Sequence, residues 1–189
     1  MPGPAIAPIV AAMMYLRSLI FNILFYGVTA VLAILALPTM LLPAAAIQAV
    51  ARFWGLLTLL LLRIVGATHR VSGEIHHGRQ VIYAAKHQSA WETIVLSLLL
   101  RTPVVVLKRE LLKLPLLGWY FGKAGCIAVD RSAGMRALRQ LRDDAVAARD
   151  AGRSLLIFPQ GTRVAPGARH KYEVGIFALY EATGLPVVP

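Results

Sequence analysis

The order of apolar and polar positions divides the chain into an apolar amino-terminal part and a more polar remainder. Between Arg17 and Arg52 there is no Lys, Arg, Asp or Glu. A membrane-crossing helix needs about 20 residues, and this uncharged stretch is longer than that. Proline interrupts the hydrogen-bond ladder of a helix. Pro38 and Pro43 therefore predict that a first membrane helix runs over residues 18–37.

A second apolar run covers residues 53–65 and is interrupted by Arg63. Its length predicts a re-entrant or interfacial helix rather than a second crossing. We therefore expect membrane-anchoring helices over residues 18–66, preceded by a flexible amino terminus over residues 1–17. A cleaved signal peptide and a buried core helix are the two alternatives. The long apolar core favours an uncleaved anchor over a signal peptide.

From residue 67 onward, short apolar runs alternate with helical patterns. Strands that alternate with helices indicate an α/β fold, here a mixed sheet flanked by helices over residues 67–189. The strand candidates are residues 81–85, 104–107, 126–129, 154–158 and 187–188. The helix candidates are residues 90–100, 111–122, 135–151 and 175–183.

Composition and charge narrow the class of partner. Hydrophobic residues make up 58% of the 189 residues, above the roughly 45–50% of an ordinary soluble domain. With 20 Lys and Arg against 9 Asp and Glu, the net charge of +11 points to an anionic partner. No zinc-finger spacing or RNP-like aromatic string occurs, so nucleic acid is not expected as the partner. Beside a membrane anchor, the positive charge fits an anionic membrane surface.

The residue types also exclude several kinds of site. Cys126 is the single cysteine, which excludes an internal disulfide and a cysteine metal cluster. Four histidines show no metal-ligand spacing, so no metal site is expected; they are His69, His76, His77 and His170. No Gly-x-Ser-x-Gly elbow occurs, which argues against a serine hydrolase.

The strongest candidate for chemistry is a histidine five residues before a carboxylate, His87 and Glu92. An imidazole beside a carboxylate forms a general base that can take a proton from a hydroxyl. Positions five apart do not share a helix face, so the pair can meet only if His87 lies in a loop and Glu92 in the first helical turn. Ser89 is a good N-cap and supports this arrangement. The same spacing makes Ser89 and Glu92 a capping box, and both roles can coexist because a carboxylate accepts several hydrogen bonds.

Two basic residues follow strand candidates. Arg131 comes after the strand candidate at 126–129, and open α/β sheets bind ligands at the carboxyl ends of their strands. Its planar guanidinium suits a phosphate group, and a solvated ion pair with Asp130 is the alternative interpretation. Lys108, which follows the strand candidate at 104–107, is the best functional candidate among the charges around it.

A turn follows the strand candidate at 154–158, and its residues are Gln160, Gly161, Thr162 and Arg163. In such a turn, backbone N–H groups, a hydroxyl and a guanidinium can converge on one spot, which predicts an anion site. Ordinary turn chemistry around proline and glycine is the alternative.

Four blocks in matching order, KHQSAWET, GCIAVDR, FPQGTR and a final Val-Pro pair, resemble the glycerolipid acyltransferase family. The likeness is to its bacterial 1-acyl-sn-glycerol-3-phosphate acyltransferases; it covers about residues 81–189 and extends to the amino-terminal helices. It implies a general base at His87, with Glu92 in the place of an orienting aspartate. The substrate-binding residues that it implies are Arg131, Gly161, Thr162 and Arg163 for the acceptor and Pro189 for acyl-donor binding or fold integrity.

The resemblance implies acyl transfer from acyl-CoA or acyl-carrier protein to the free sn-2 hydroxyl of 1-acyl-glycerol-3-phosphate, giving phosphatidic acid. The expected partners are this lysophospholipid acceptor and the acyl donor, and no cofactor is expected. Because activated acyl donors occur in the cytoplasm, the resemblance implies an inner-membrane protein with its catalytic domain on the cytoplasmic side.

Three departures from the family pattern keep alternatives open. Glu92 replaces aspartate, and Gln160 replaces glutamate, which removes a charge beside the expected phosphate site. The sequence ends at Pro189 inside a strand candidate, so the carboxyl-terminal part of the sheet is expected to be missing. The alternatives are an acyltransferase for another lysolipid, such as lyso-ornithine lipid, and a catalytically inactive membrane protein that binds lipid.

Overall fold

The computed structural model describes residues 7–76 and 78–189. The first helix, α1, spans Ala7–Leu35. The helix therefore includes residues 7–17, which were expected to precede it as a flexible terminus, and residues 1–6 lie outside the described part. The helix begins early because its only proline there, Pro8, falls in the first turn, where no intrahelical N–H is required.

A second helix, α2, spans Ala44–Ile64 and begins directly after Pro43. The expected short helix confined to residues 53–65 is wrong, because the alanine-rich residues 44–52 are good helix formers. Both α1 and α2 are long and apolar enough to cross a membrane by length and composition. Almost all of α1 is exposed, and a lipid phase suits such an apolar surface.

The two amino-terminal helices pack against each other and onto the rest of the chain. The Trp54 indole N–H donates to the Thr29 hydroxyl at 2.9 Å, which joins α2 to α1. Gly55 of α2 lies so near Leu98 that a Cβ would sit 3.2 Å from the leucine side chain. The Tyr120 hydroxyl donates to the carbonyl of Ala33. These contacts fasten the amino-terminal helices to the α/β domain.

Five short strands form one sheet, with the order β3-β2-β4-β1-β5. The strands are β1 Ile82–Ala84, β2 Val104–Lys108, β3 Ile127–Val129, β4 Leu155–Ile157 and β5 Val187–Val188. All five predicted strands are confirmed, with small shifts at their ends. The expected mixed sheet is corrected, since every described pairing is parallel. Each connection contains a helix, which returns the chain to the same edge of the sheet.

Four helices connect the strands: α3 Trp91–Leu99, α4 Leu117–Lys123, α5 Met135–Asp150 and α6 Gly175–Thr183. The predicted helix at 111–122 is instead divided into a 3-10 turn over Arg109–Lys113 and α4. Pro115 lies between the two and cannot continue a helical hydrogen-bond ladder. The following residue, Leu116, takes a positive φ of 60°, which completes the break.

The sheet is covered by helices on both faces. One face packs on α5 and α6, and its buried side chains are Ile82, Val104, Ile127, Leu155 and Ile157. The opposite face buries Val81, Tyr83 and Leu156 with Leu100, which follows α3. Because all strands are parallel, their carboxyl ends lie together at one side, here named the carboxyl edge. Their amino ends form the amino edge.

Candidate active site

The residues predicted to carry chemistry lie along the carboxyl edge. His87 follows β1, Lys108 ends β2, and Arg131 follows β3. The turn from Gln160 to Arg163 follows β4, and Pro189 follows β5. The carboxyl edge is where open parallel sheets bind their ligands. The parallel topology therefore gathers blocks that are far apart in sequence at one side of the molecule.

The predicted contact between the histidine and the carboxylate is present. His87 lies in the loop after β1 and Glu92 in the first turn of α3, with 2.6 Å between Nδ1 and Oε1. Both side chains are largely buried, with 18% and 14% exposed. The capping interaction coexists with this contact, because the Ser89 N–H donates to the same carboxylate at 2.9 and 3.0 Å. The Ser89 hydroxyl in turn accepts from the N–H of Trp91 at 3.1 Å.

The carboxylate of Glu92 is held in its ionised form. Burial alone would raise its pKa, but hydrogen bonds from the Ser89 hydroxyl, the Ser89 N–H and the His87 ring lower the pKa to about 2. The N–H of Gln88 adds a further donor at 2.8 Å. An ionised carboxylate only accepts hydrogen bonds, so the Nδ1 of His87 carries a proton and donates it. The Nε2 of His87 is then the nitrogen that can act as a base.

Three contacts fix the position of His87. Its ring stacks on Phe158, with the centroids 4.3 Å apart and the planes inclined by 26°. The backbone N–H of His87 donates to the side-chain oxygen of Gln160 at 2.9 Å. Its backbone carbonyl accepts from the N–H of Val164 at 2.8 Å. Phe158 and Val164 were not predicted in this role. Both flank the turn after β4, so only the adjacency of β1 and β4 reveals them.

Gly161 and Arg131 bring the second and third blocks together. Gly161 has a positive φ of 69°, and a Cβ there would lie 3.1 Å from the Arg131 guanidinium. Glycine is therefore required both by the backbone conformation and by the space that Arg131 occupies. Thr162 and Arg163 are exposed beside them. Among the described residues, neither Arg131 nor Arg163 forms an ion pair with a carboxylate, so both guanidinium groups can meet an anion.

Lys108 and Pro189 are placed differently from the other predicted residues. Lys108 is exposed, and its ammonium pairs with Glu110 at 3.2 Å, so the structure does not join it to His87 or Arg131. Pro189 lines an apolar hollow of about 230 Å³ together with Ala85, Tyr172 and Ile176. This hollow adjoins the loop that carries His87, since Lys86 also lines it.

The described residues hold neither a candidate metal centre nor an activated cysteine. Within residues 7–76 and 78–189, no group of three or more His, Cys, Asp or Glu side chains could hold a metal ion. Burial raises the pKa of the Cys126 thiol, which keeps it protonated and a poor nucleophile. His77 lies outside the described residues.

A histidine beside an ionised carboxylate, at the same edge as guanidinium groups without carboxylate partners, has the chemistry needed to transfer a group to the hydroxyl of an anionic acceptor. Residues 68–189 match the family described as acyltransferase, and the chain belongs to that family. The resemblance found in the four sequence blocks is thus confirmed.

Curated relatives agree with this assignment. The chain is 39% identical to the 1-acyl-sn-glycerol-3-phosphate acyltransferase of Pseudomonas aeruginosa over 138 residues, which cover 72% of this chain and 54% of the relative. The protein of that name from Limnanthes douglasii is 29% identical, over 69% of this chain and 47% of its own length. The chain spans about half the length of the curated relatives that it matches.

A solved structure shares the fold. The crystal structure of the 1-acyl-sn-glycerophosphate (LPA) acyltransferase PlsC from Thermotoga maritima matches with a TM-score of 0.73 and 23% sequence identity. The match covers 93% of this chain and 74% of that chain. The α/β fold predicted from the sequence is therefore confirmed.

Proposed function

We propose that this chain transfers an acyl group to the free hydroxyl of 1-acyl-glycerol-3-phosphate and so makes phosphatidic acid. The acyl donor is the thioester of acyl-CoA or acyl-carrier protein. The observation that carries the proposal is the contact between His87 and the ionised Glu92 at the carboxyl edge. The names of the relatives support the same reaction.

The reaction is a direct transfer between the two substrates. The Nε2 of His87 takes the proton of the acceptor hydroxyl, and the oxygen attacks the carbonyl carbon of the thioester. The tetrahedral intermediate collapses, the carbon–sulfur bond breaks, and the proton on His87 passes to the leaving thiolate. Glu92 orients the imidazole and stabilises its charged form during the transfer. The reaction needs neither a cofactor nor a covalent intermediate on the protein.

The guanidinium groups at the carboxyl edge bind the phosphate of the acceptor. Arg131 lies over Gly161, and Arg163 follows in the same turn. Binding the phosphate there fixes one end of the acceptor while its hydroxyl meets His87, and such positioning lowers the barrier of the transfer. Thr162 adds a hydroxyl donor, and Lys108 can reach the acceptor from the same edge only by leaving its pair with Glu110. The hollow beside Pro189 offers an apolar surface to the acyl donor.

The amino-terminal helices keep the site at a membrane that supplies the acceptor. Both α1 and α2 are suited to lipid by length and composition, and the net charge of +11 favours an anionic membrane surface. We place the protein in the inner membrane with the α/β domain on the cytoplasmic side, where activated acyl donors occur.

The position of Gln160 bears on the choice of acceptor. Its side-chain oxygen accepts from the His87 N–H, a role that the glutamate of the family pattern can also fill. The replacement therefore does not by itself indicate a different headgroup. The free guanidinium groups of Arg131 and Arg163 favour a phosphate-bearing acceptor over lyso-ornithine lipid, which carries no phosphate.

The proposal is tested by measuring transfer from labelled acyl-CoA and labelled acyl-carrier protein in membranes without background activity. Lysophosphatidic acid and lyso-ornithine lipid are offered separately and in competition. We expect label in phosphatidic acid and a clear preference for the phosphate-bearing acceptor. A preference for lyso-ornithine lipid would contradict the assigned acceptor. No transfer to either acceptor by folded protein would indicate a lipid-binding protein without activity.

A further inference from the structure

A cavity lies at the amino edge, opposite the candidate active site. Its volume is about 410 Å³, which is within the roughly 300–1,000 Å³ of small-ligand pockets. It opens where three strands begin, since Gln80 precedes β1, Pro103 precedes β2 and Ser154 precedes β4. Gln48 of α2 forms part of its wall, so the cavity adjoins an amino-terminal helix.

Three arginines line this cavity: Arg79, Arg101 and Arg153. None of the described lining residues is an Asp or a Glu. Among the described residues, none of the three arginines forms an ion pair with a carboxylate. Like charges around one cavity repel each other, so an anion bound between them would relieve an unfavourable arrangement.

Arg153 is built into the wall of the cavity. It is half-buried, and its guanidinium donates to the carbonyls of Thr102 at 3.4 Å and Ala124 at 3.3 Å. Gly125 leaves the space that the guanidinium needs, because a Cβ there would lie 2.7 Å from Nη1 of Arg153. Carbonyl groups satisfy some of its donors but do not neutralise its charge.

Arg101 stands at a position that favours glycine. It follows the end of α3, and its φ of 52° and that of Thr102, 65°, are both positive. The N–H of Thr102 donates to the carbonyl of Ser97 at 3.3 Å, a hydrogen bond that closes the helix end. Glycine is the usual residue where a helix ends with a positive φ, because a side chain there costs free energy. The chain instead keeps an arginine there, whose side chain lines the cavity.

We propose that the cavity at the amino edge is a second anion site, which binds a phosphate group between Arg79, Arg101 and Arg153. Arginine presents a planar fork of donors that matches phosphate oxygens. The phosphate belongs either to an anionic lipid headgroup, since α2 borders the cavity, or to a soluble phosphate compound. This site is separate from the transfer chemistry, so it stands or fails independently of the proposed function.

The experiment uses the full chain with Arg131→Ala and Arg163→Ala, so that phosphate does not bind at the carboxyl edge. In this background, Arg101→Gly removes the charge and relieves the positive φ, so the fold is expected to persist. Arg79→Gln removes a second charge at an exposed position. Arg139→Ala, on the exposed face of α5, is the matched control.

Two arms identify the source of the phosphate. In neutral detergent, binding of inorganic phosphate is measured by calorimetry and thermal unfolding, with chloride at equal ionic strength as the reference. In nanodiscs, thermal unfolding is compared between phosphatidylcholine alone and phosphatidylcholine with phosphatidate.

We expect the protein to bind phosphate. Arg101→Gly and Arg79→Gln should each weaken the affinity about tenfold, and Arg139→Ala should leave it unchanged. An effect of inorganic phosphate would indicate a soluble ligand, and an effect confined to phosphatidate nanodiscs would indicate a lipid headgroup. If neither arm shows binding, or if Arg101→Gly and Arg139→Ala behave alike in both, the proposal is overturned.

Discussion

The two edges of the sheet hold basic side chains in different ways. At the carboxyl edge, His87 is fixed by Glu92, Gln160 and Phe158, and the partner carboxylate is ionised. At the amino edge, three arginines surround a cavity with no carboxylate among its described lining residues. A side chain that must move a proton needs one fixed geometry, whereas side chains that bind an anion need only uncompensated charge. Variants at the carboxyl edge show how far the proposed reaction depends on that fixed geometry.

The largest effect is expected from His87→Ala. Without the imidazole, nothing at the carboxyl edge takes the proton of the acceptor hydroxyl, so kcat should fall about 10²–10⁴-fold. Acyl transfer to lysophosphatidic acid at saturating substrate measures this loss. The matched control is His170→Ala, since His170 is exposed and forms none of the described side-chain hydrogen bonds. Equal activity of the two variants would show that His87 is not the base.

The next effect is expected from Glu92→Gln. The amide is neutral and cannot stabilise a charged imidazole, so kcat should fall about 10²-fold while the KM for the acceptor changes little. Glu74→Gln, at an exposed position, is the matched control. Full activity of Glu92→Gln would mean that the Glu92 carboxylate serves only to cap the helix.

The difference in stability between the wild-type protein and Glu92→Gln should depend on pH. The pKa of Glu92 in the folded protein, about 2, lies below its ordinary value of 4.5, so the ionised carboxylate stabilises the fold above pH 4.5. That contribution is lost as the pH falls toward 2. The unfolding temperature of the wild-type protein should therefore approach that of Glu92→Gln between these values. A constant difference between the two proteins would contradict the assigned pKa.

A smaller effect is expected from Gly161→Ala. The new Cβ would lie 3.1 Å from the Arg131 guanidinium and displace it, so the KM for lysophosphatidic acid should rise about tenfold with a smaller change in kcat. Gly184→Ala is the matched control, because its φ of 66° imposes the same backbone strain with no atom within 4 Å of the Cβ. Similar kinetics in the two variants would show that strain alone accounts for the effect.

The smallest effect is expected from Gln160→Glu. A carboxylate can accept the N–H of His87 as the amide does, so transfer should stay within about threefold of the wild type. Gln160→Ala removes the acceptor and should lower kcat more than Gln160→Glu. If Gln160→Glu is the more damaging change, Gln160 acts through charge near the acceptor rather than by positioning His87.

Local patterns in the sequence predict the elements of this fold and the contact within one block. Each strand is a short apolar run, and the bounds predicted for α6 agree with those of the structure. The meeting of His87 and Glu92 follows from a capping residue and a five-residue spacing, both of which are local. The error at α4 was also local, because Pro115 already marks a break in the helical pattern.

Contacts between blocks depend on the order of the strands, which local patterns do not determine. Only the pairing of β1 with β4 places Gln160 and Phe158 beside His87. The contact of Arg131 with Gly161 likewise joins residues that follow β3 and β4, two strands separated by β2. The amino-edge cavity is built from four distant segments, and no motif in the sequence marks it.

The central claim is that the acyl group passes directly from the donor to the acceptor hydroxyl, with His87 and Glu92 as the base and its partner. A labelled acyl group allows this path to be followed. The full chain in vesicles is mixed with lysophosphatidic acid and with labelled acyl-CoA, the protein being in excess over the donor. The label in lipid, in protein and in free fatty acid is then measured over one turnover. We predict that the label appears in phosphatidic acid without passing through a covalent acyl-protein. Label bound transiently to a serine or cysteine, or no phosphatidic acid from folded protein, would contradict the account.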